Sequence, residues 1–303
     1  MRLRLASAAL AATVPFMFAS AAGQAPDFSQ VTIKPEALAP GIHMLAGAGG
    51  NIGLSAGEDG VFIVDDQFAP LTEKILASIK TITDKPVRFV INTHWHGDHT
   101  GGNENFGKAG AVIVAHDNVR KRMNTEQFSE AFKRTTKPAP KDALPVVTFS
   151  ESATLHLNGD EVRIVHVAPA HTDGDSIVHF TKANVIHMGD LYVSGAYPFV
   201  DISSGGEVNG IIAAADQALA MVNESTKIIP GHGAVSNMAG LKQYRDVVTT
   251  VRDRVAALIK QGKSLADVQA AAPSKEFDAT WGTGFMKGEQ FVAAVYSSLT
   301  NGN

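Results

Sequence analysis

The sequence predicts an α/β protein in which two mixed sheets pack together and carry helices on their outer sides. Three observations lead there. Short apolar runs bounded by Gly, Pro and acidic turns come in two batches, each followed by stretches of helical period, rather than in strict β-α alternation. With 303 residues and 45% hydrophobic side chains the chain can bury a large core, and a charged fraction of 18% argues against disorder. The 28 glycines suit a fold with many tight turns and loops.

In chain order, Val31–Ile33, Ile42–Leu45, Ile52–Leu54 and Val61–Val64 read as strands. Leu71, Ile75, Ile79 and Ile82 recur at helical spacing, and Lys85-Pro86 ends that helix. A buried strand from Val87 to Asn92 follows, then a short Gly-rich helix and a strand over Ala111–Val114. The polar, Lys-rich stretch from Asp117 to Leu144 has weak helical periodicity and two prolines near its end, Pro138 and Pro140. It reads as a surface insertion able to overhang the site. Strands come next at Val146–Phe149, Thr154–Leu157, Val162–Val167, Ile177–Phe180 and Val185–Met188. A helix then uses Ile212, Ala215, Leu219 and Val222, and the strand Lys227–Ile229 leads into Pro230-Gly231-His232-Gly233. Leu241, Tyr244, Val248, Val251, Val255 and Leu258 mark a long helix whose stripe is core packing. Ser264 to Asp267 forms a capping box that opens another helix, and Phe291, Val295 and Leu299 mark the last.

Residues 1–21 read as a secretory signal, and 22–303 as one layered domain closed by C-terminal helices. Arg2 and Arg4 supply the positive region, Leu5 to Phe18 the apolar stretch, and Ala19-Ser20-Ala21 the small-residue cleavage site. The apolar stretch is short for a membrane span, so no stable anchor is expected, and the location is periplasmic or secreted. Formal net charge is −4 for the whole chain, and the signal carries two arginines and no acid, so the mature chain is more acidic still. That speaks against nucleic-acid binding, which calls for a basic face. Arg120-Lys121-Arg122 reads as a solvated helix face. Cysteine is absent, so neither a thiolate nucleophile nor a thiolate metal ligand exists.

Five of the eleven histidines belong to one arrangement, which begins with His94-Trp95-His96-Gly97-Asp98-His99. Three imidazoles and a carboxylate within six residues make poor core packing, because unpartnered buried polar groups are costly. Neutral imidazole and carboxylate are preferred ligands of Zn²⁺. His94 and His96 stand two apart, which points both side chains the same way from extended backbone. Asp98 and His99 follow where the chain turns toward helix and face a second position. Two ions sharing a cleft explain the set better than one crowded ion. Further candidates lie at strand ends: His171 in a turn-rich stretch, Asp190 after Val185–Gly189, and His232 between Gly231 and Gly233, which permit close backbone approach.

This pattern resembles the metallo-β-lactamase superfamily over roughly Val31 to Ile229 and beyond. The resemblance implies the αβ/βα four-layer sandwich and a hydrolase domain with two zinc ions. It implies that His94, His96 and His171 hold one zinc, that Asp98, His99 and His232 hold the second, and that Asp190 bridges both. It makes Asp65 the carboxylate that braces the His motif, as metal-bound imidazoles generally require. One departure stands out. In several secreted β-lactamase subclasses the Asp190 position is cysteine, and in another it is serine; aspartate is the pattern of glyoxalase-II-like enzymes and lactonases. Asn92-Thr93-His94 and Gly101-Gly102-Asn103 nonetheless resemble secreted β-lactamase-like members.

The implied chemistry is hydrolysis of an acyl bond in a small molecule (β-lactam, lactone or ester) by a metal-bridging hydroxide. Asp98 would orient the nucleophile, and Tyr192 would either donate to the developing oxyanion or pack in the cleft wall. Gly47–Asn51 would form part of the cleft rim, with Tyr197 and Phe199 on another loop. Two alternatives stand beside this: iron-dependent persulfide oxidation, and a non-catalytic periplasmic metal-binding protein. His43, His156, His166 and His179 read as hydrogen-bonded strand residues, His116 as a helix cap, and His187 as a residue supporting Asp190. The sequence leaves the acyl substrate and the oligomeric state open.

Overall fold

The computed structural model describes residues 27–300; the signal-peptide reading falls outside them. The first sheet is built from β1 (Lys34–Ala39), β2 (Ile42–Ala46), β3 (Ile52–Gly57), β4 (Gly60–Val64), β5 (Val87–Ile91), β6 (Val112–His116) and β9 (Val147–Phe149), in that spatial order. Its first four strands run antiparallel, while β4, β5, β6 and β9 are joined in parallel. Crossovers between parallel strands need intervening chain. That chain supplies α1 (Thr72–Lys80), α2 (Gly97–Thr100), α3 (Asn103–Lys108) and α4 (Asp117–Met123). The second sheet runs β10 (Ser152–Leu157), β11 (Asp160–His166), β12 (Ser176–Phe180), β13 (Val185–His187) and β14 (Lys227–Ile229). Only its last pair, β13 with β14, is parallel, and the crossover between them is α5 (Val208–Met221).

Side-chain alternation sorts the strands into layers. Along β4, Ile63 packs with Ile75, Ile79 and Phe106 on the outer helices, whereas Phe62 and Val64 turn inward. The inward face meets Val162, Ile164, Val178 and Phe180 of the second sheet. On the far side of that sheet, Ile177, Ile186 and Ile228 pack against α5, α6 (Met238–Lys260) and α9 (Gly288–Thr300). The layers are therefore helix, sheet, sheet, helix, the four-layer αβ/βα sandwich.

Several elements depart from expectation. Val31–Ile33 is not a strand: the Lys74 ammonium bonds the carbonyls of Phe28, Ser29 and Val31 at 2.7–2.8 Å and ties this segment to α1. The first strand starts at Lys34 instead, and its Pro35 is tolerated because β1 is an edge paired only with β2. In α5 the buried line is Val208, Ile211, Ala215 and Ala218, with Ile212 and Leu219 only partly covered. Small residues on that line let α5 lie close to its neighbours. Two short helices between α6 and α9 are α7 (Leu265–Ala270), opened by the Ser264–Asp267 capping box, and the unexpected α8 (Lys275–Trp281). The Lys-rich insertion holds α4 and a two-stranded hairpin, β7 (Gln127–Ser129) and β8 (Arg134–Thr136). Arg122 is not solvated as expected: its guanidinium forks onto Asp173 at 2.6 and 2.7 Å. Among the described residues no helix is long and apolar enough to cross a membrane.

Candidate metal centre

The cluster forms at the carboxyl ends of β5, β11, β13 and β14. β5 delivers His94 and His96, and α2 carries Asp98 and His99. The turn after β11 brings His171, the residues after β13 bring Asp190, and the loop after β14 brings His232. All seven sequence candidates for ligation are brought together. His94, His96, His171 and Asp190 present donor atoms within 4.8 Å of one another, and Asp98, His99 and His232 form an adjoining group by the same measure. Asp190 spans them: Oδ2 lies 3.6 Å from His171 Nε2, while Oδ1 lies 3.1 Å from His99 Nε2 and 3.3 Å from His232 Nε2.

The outward nitrogens fix which atoms face the cleft. His96 Nε2 donates to Asp201 Oδ2 at 2.9 Å, and His171 Nδ1 donates to the Phe199 carbonyl at 2.7 Å. Each ring thereby turns a lone pair inward, and these two lone pairs, His96 Nδ1 and His171 Nε2, lie 2.9 Å apart. His94 Nδ1 sits 3.0 Å from Thr93 Oγ1, which donates to Asp65 Oδ2; His94 Nε2 is buried with no hydrogen-bond partner. His99 Nδ1 donates to the same Asp65 oxygen at 2.7 Å. Asp190 Oδ1, close as it is to two imidazoles, completes no hydrogen bond. Facing lone pairs and unpartnered buried acceptors are unfavourable among themselves. They fit a cation, and an imidazole-carboxylate donor set without sulfur suits zinc and other first-row divalent ions.

Electrostatics divides the cluster. Burial, with the neighbouring imidazoles of His99 and His171, pushes His94 well below the usual imidazole range, and burial also lowers His171. These rings are neutral donors. Burial would lower His232 too, but Asp190 and Asp98 outweigh it and lift it to about 9; the same carboxylates lift His99. Burial acts on Asp98 in the opposite sense, yet His99 and His232 hold its carboxyl at about 2. The Asp98 side is therefore a deep well for positive charge.

The supporting frame is built by backbone. β4 exits through Asp65, Asp66 and Gln67, with positive φ at Asp65 (64°) and Gln67 (57°). Such strained turns persist only where surroundings over-determine them. Here Asp65 accepts from Thr93 N and from His99, Asp66 accepts from Gly102 N, and Gln67 donates to the Gly50 carbonyl. Asn92 and Asn103 exchange amide hydrogen bonds at 2.9 and 3.0 Å and pin the motif strand to α3. Gly47–Asn51 does more than rim the cleft. Asn51 donates to the carbonyls of Pro230 and Gly233, fastening the His232 loop, and Gly50 backs directly onto His99. A Cβ on Gly50 would stand 2.2 Å from the His99 ring, and one on Gly231 would stand 2.0 Å from Asp190 Oδ1.

Packing decides one expectation and corrects others. Tyr192 is buried, its hydroxyl bonds Ser236 at 2.7 Å, and its ring meets Tyr244 edge-on, so of its two readings the packing favours the cleft wall over the oxyanion donor. Tyr197 is core, with its hydroxyl donating to Asp278 Oδ1 at 2.9 Å and the Ser274 carbonyl 3.2 Å away. Of the four strand histidines only His166 is hydrogen-bonded through its ring among the described residues, Nδ1 to the Asp175 carbonyl; His156 is exposed on β10, His179 makes no side-chain hydrogen bond, and His43 Nδ1 is buried without a partner. His116 caps α4 by accepting from Asn118 N, and His187 accepts from Gly189 N while bonding the Asn51 carbonyl, so it steadies the turn into Asp190. Sequence reasoning missed Asp201. It follows no motif, and only the fold carries it to His96.

The pattern of the metallo-beta-lactamase superfamily matches residues 46–251, more than half of the chain, and the protein belongs to that superfamily. Hydroxyacylglutathione hydrolase of Nitrosococcus oceani is 28% identical over 63% of this chain and 62% of its own length. The linear primary-alkylsulfatase of a Pseudomonas species is 22% identical over 67% of this chain and 44% of its own. The chain spans about half the length of the curated relatives it matches, between 40% and 62%. Among solved structures, the sec-alkylsulfatase Pisa1 from Pseudomonas superposes with a TM-score of 0.69 at 17% identity, over 88% of this chain and 50% of that one. A metallo-beta-lactamase from Pontibacter korlensis gives 0.58 at 18% identity, over 72% and 99%. At such identities the structural likeness speaks for the fold, and hydrolases are the members it resembles.

Proposed function

We propose that this protein is a zinc-dependent hydrolase that opens an acyl bond in a small molecule, with two ions held by the adjoining groups. The observation that carries the reading is Asp190, one carboxylate whose two oxygens face the two groups while the outer nitrogens of His94, His96, His99 and His171 are engaged elsewhere. His94, His96 and His171 would hold one ion, Asp98, His99 and His232 the other, and Asp190 both. Bound zinc supplies Lewis acidity and brings the pKa of water to about 7.

The chain's own tasks follow from placement. Asp98 orients the attacking water from the His232 side; water adds to the acyl carbon, the bond to the leaving atom breaks, and the proton passes to that atom. Asp65 and Asp201 keep the imidazoles aimed, since misplacement of about 1 Å costs about a hundredfold. Aspartate rather than cysteine or serine at position 190, together with the hydroxyacylglutathione hydrolase relative, favours thioesters, lactones and simple esters, with weak β-lactam turnover. Cleavage after Ala21 and export to the periplasm belong to the same reading, resting on the composition of residues 1–21.

Zinc-loaded protein assayed against thioesters, lactones, a chromogenic cephalosporin, alkyl sulfates and phosphodiesters tests it, alongside elemental analysis. Two zinc per chain and turnover of an acyl substrate are expected. Activity confined to sulfates, phosphodiesters or persulfides, or iron alone, would overturn it.

A further inference from the structure

The β7–β8 hairpin carries two of the four large hydrophobic side chains that stand exposed among the described residues, Phe128 at 50% and Phe132 at 47%. A lone two-stranded hairpin is marginal in water, so something else must hold it. Three anchors do. Arg122 bonds Gln127 at its root while forking onto Asp173, and Glu130 N at its tip donates to Ser203 Oγ at 3.0 Å. The third anchor is Phe132, which meets Phe199 at 5.5 Å and Phe285 at 5.9 Å between ring centroids. Phe199 and Phe285 in turn meet edge-on at 6.0 Å.

Phe199 joins this cluster to the candidate metal centre. Its ring lies 5.8 Å from His171 and 6.1 Å from His96, and its carbonyl is the acceptor that orients His171. The hairpin tip is pinned beside Ser204, which bonds Asp201, the partner of His96. Tethered in this way, Phe132 still leaves about half of its surface to solvent, one ring away from two inward-facing imidazoles. Uncovered apolar surface of this kind beside a polar centre marks where a ligand buries its own apolar part.

We infer that Phe132, Phe199 and Phe285 form a recognition wall on the His96–His171 side, and that the substrate bears an uncharged aryl or branched-alkyl group next to the bond cleaved. The inference rests on the hydrolase reading for the bond but not for the wall. Aromatic partners at these centroid distances gain both buried area and edge-to-face attraction. Phe132 determines specificity through contact with that group; it touches none of the residues assigned to the ions or the attacking water.

The test compares phenylacetyl and acetyl thioesters of N-acetylcysteamine on zinc-loaded wild type and Phe132→Ala. Saturation-transfer NMR of N-methylphenylacetamide on the same two proteins supplies the second readout. Wild type is expected to favour the phenylacetyl thioester at least tenfold in kcat/KM. Phe132→Ala should lower that substrate about tenfold while the acetyl thioester stays within twofold, with zinc content unchanged and saturation of the aryl protons lost. Equal effects on both thioesters, or undiminished aryl saturation in Phe132→Ala, would overturn the wall. If neither thioester is hydrolysed yet aryl saturation depends on Phe132, the hydrolase reading falls and the wall stands.

Discussion

The two halves of the candidate centre are held in different ways. On the His94–His96–His171 side, each ring is braced from a different part of the chain: Thr93 and Asp65, Asp201, and the Phe199 carbonyl. That side has no carboxylate of its own facing inward and presents neutral donors. On the Asp98–His99–His232 side, carboxylates and imidazoles confront each other directly, and glycine backbone packs against them. One side is positioned by hydrogen bonds at long sequence separation, the other by charge and by close backbone approach. The first should fail gradually when a bonding partner is removed. The second should fail abruptly when a methyl group intrudes.

Asp190 belongs to both sides, so its loss tests the comparison most severely. Asp190→Ala should reduce turnover about a thousandfold, roughly 4 kcal/mol of lost transition-state stabilisation. Zinc content should fall below two per chain, while circular dichroism shows a retained fold. Near-normal turnover and metal content would remove the bridging assignment. Gly231→Ala comes next. Its Cβ would stand 2.0 Å from Asp190 Oδ1, and crowding of this kind costs about 1–3 kcal/mol in a packed interior. A loss of tenfold or more in turnover and of one zinc is expected, and Gly50→Ala should behave likewise through His99. If both alanines bind two zinc ions normally, backbone approach is not what sets that side.

The gradual side is probed by its braces. Removing a residue that orients a metal-bound imidazole typically costs about 10–100-fold in affinity or activity. Asp201→Asn should fall near the lower end, because His96 is the one imidazole it braces and that ring is itself partly exposed. Asp65→Asn should approach the upper end, because its fully buried carboxylate braces His94 through Thr93 on this side and also bonds His99 on the other. Zinc affinity measured by chelator competition ranks the two, and the reverse ranking would mean that burial and shared bonding of the brace do not set its cost.

How much of this was legible in the sequence follows the range of the interactions. His94 to His99 lie within six residues, so their shared purpose is visible locally. The strands of both sheets are visible too, since alternation and turn residues are local signals. β1 was misplaced because a single ammonium on α1 holds Val31 from a distance. The buried line of α5 was misread because its alanines carry less hydrophobic weight than Ile212 and Leu219, though close packing selects them. Asp201 and the Asn51 clamp could not be read at all: His96 lies 105 residues from its partner, and Asn51 lies 182 from the Gly233 carbonyl it bonds. The hairpin was legible only as a polar insertion, because two phenylalanines among lysines give no periodicity.

Tyr192 provides the smallest effect and the sharpest contrast with its neighbour Asp190. Two positions along the chain separate a residue whose carboxylate faces both groups from one whose side chain lies in the core. The 3-10 turn Gly189–Leu191 is responsible: it directs Asp190 to the cleft and sends Tyr192 onto Tyr244 and Ser236. Tyr192→Phe keeps the ring and removes one hydrogen bond, worth about 1 kcal/mol of stability. Denaturant unfolding should register that loss, while turnover stays within twofold of wild type and the pH profile is unchanged. If Tyr192 instead donated to a developing oxyanion, the same change would cost about a hundredfold or more with little effect on stability. The ratio of the two effects, rather than either alone, decides whether the hydroxyl serves the wall or the reaction.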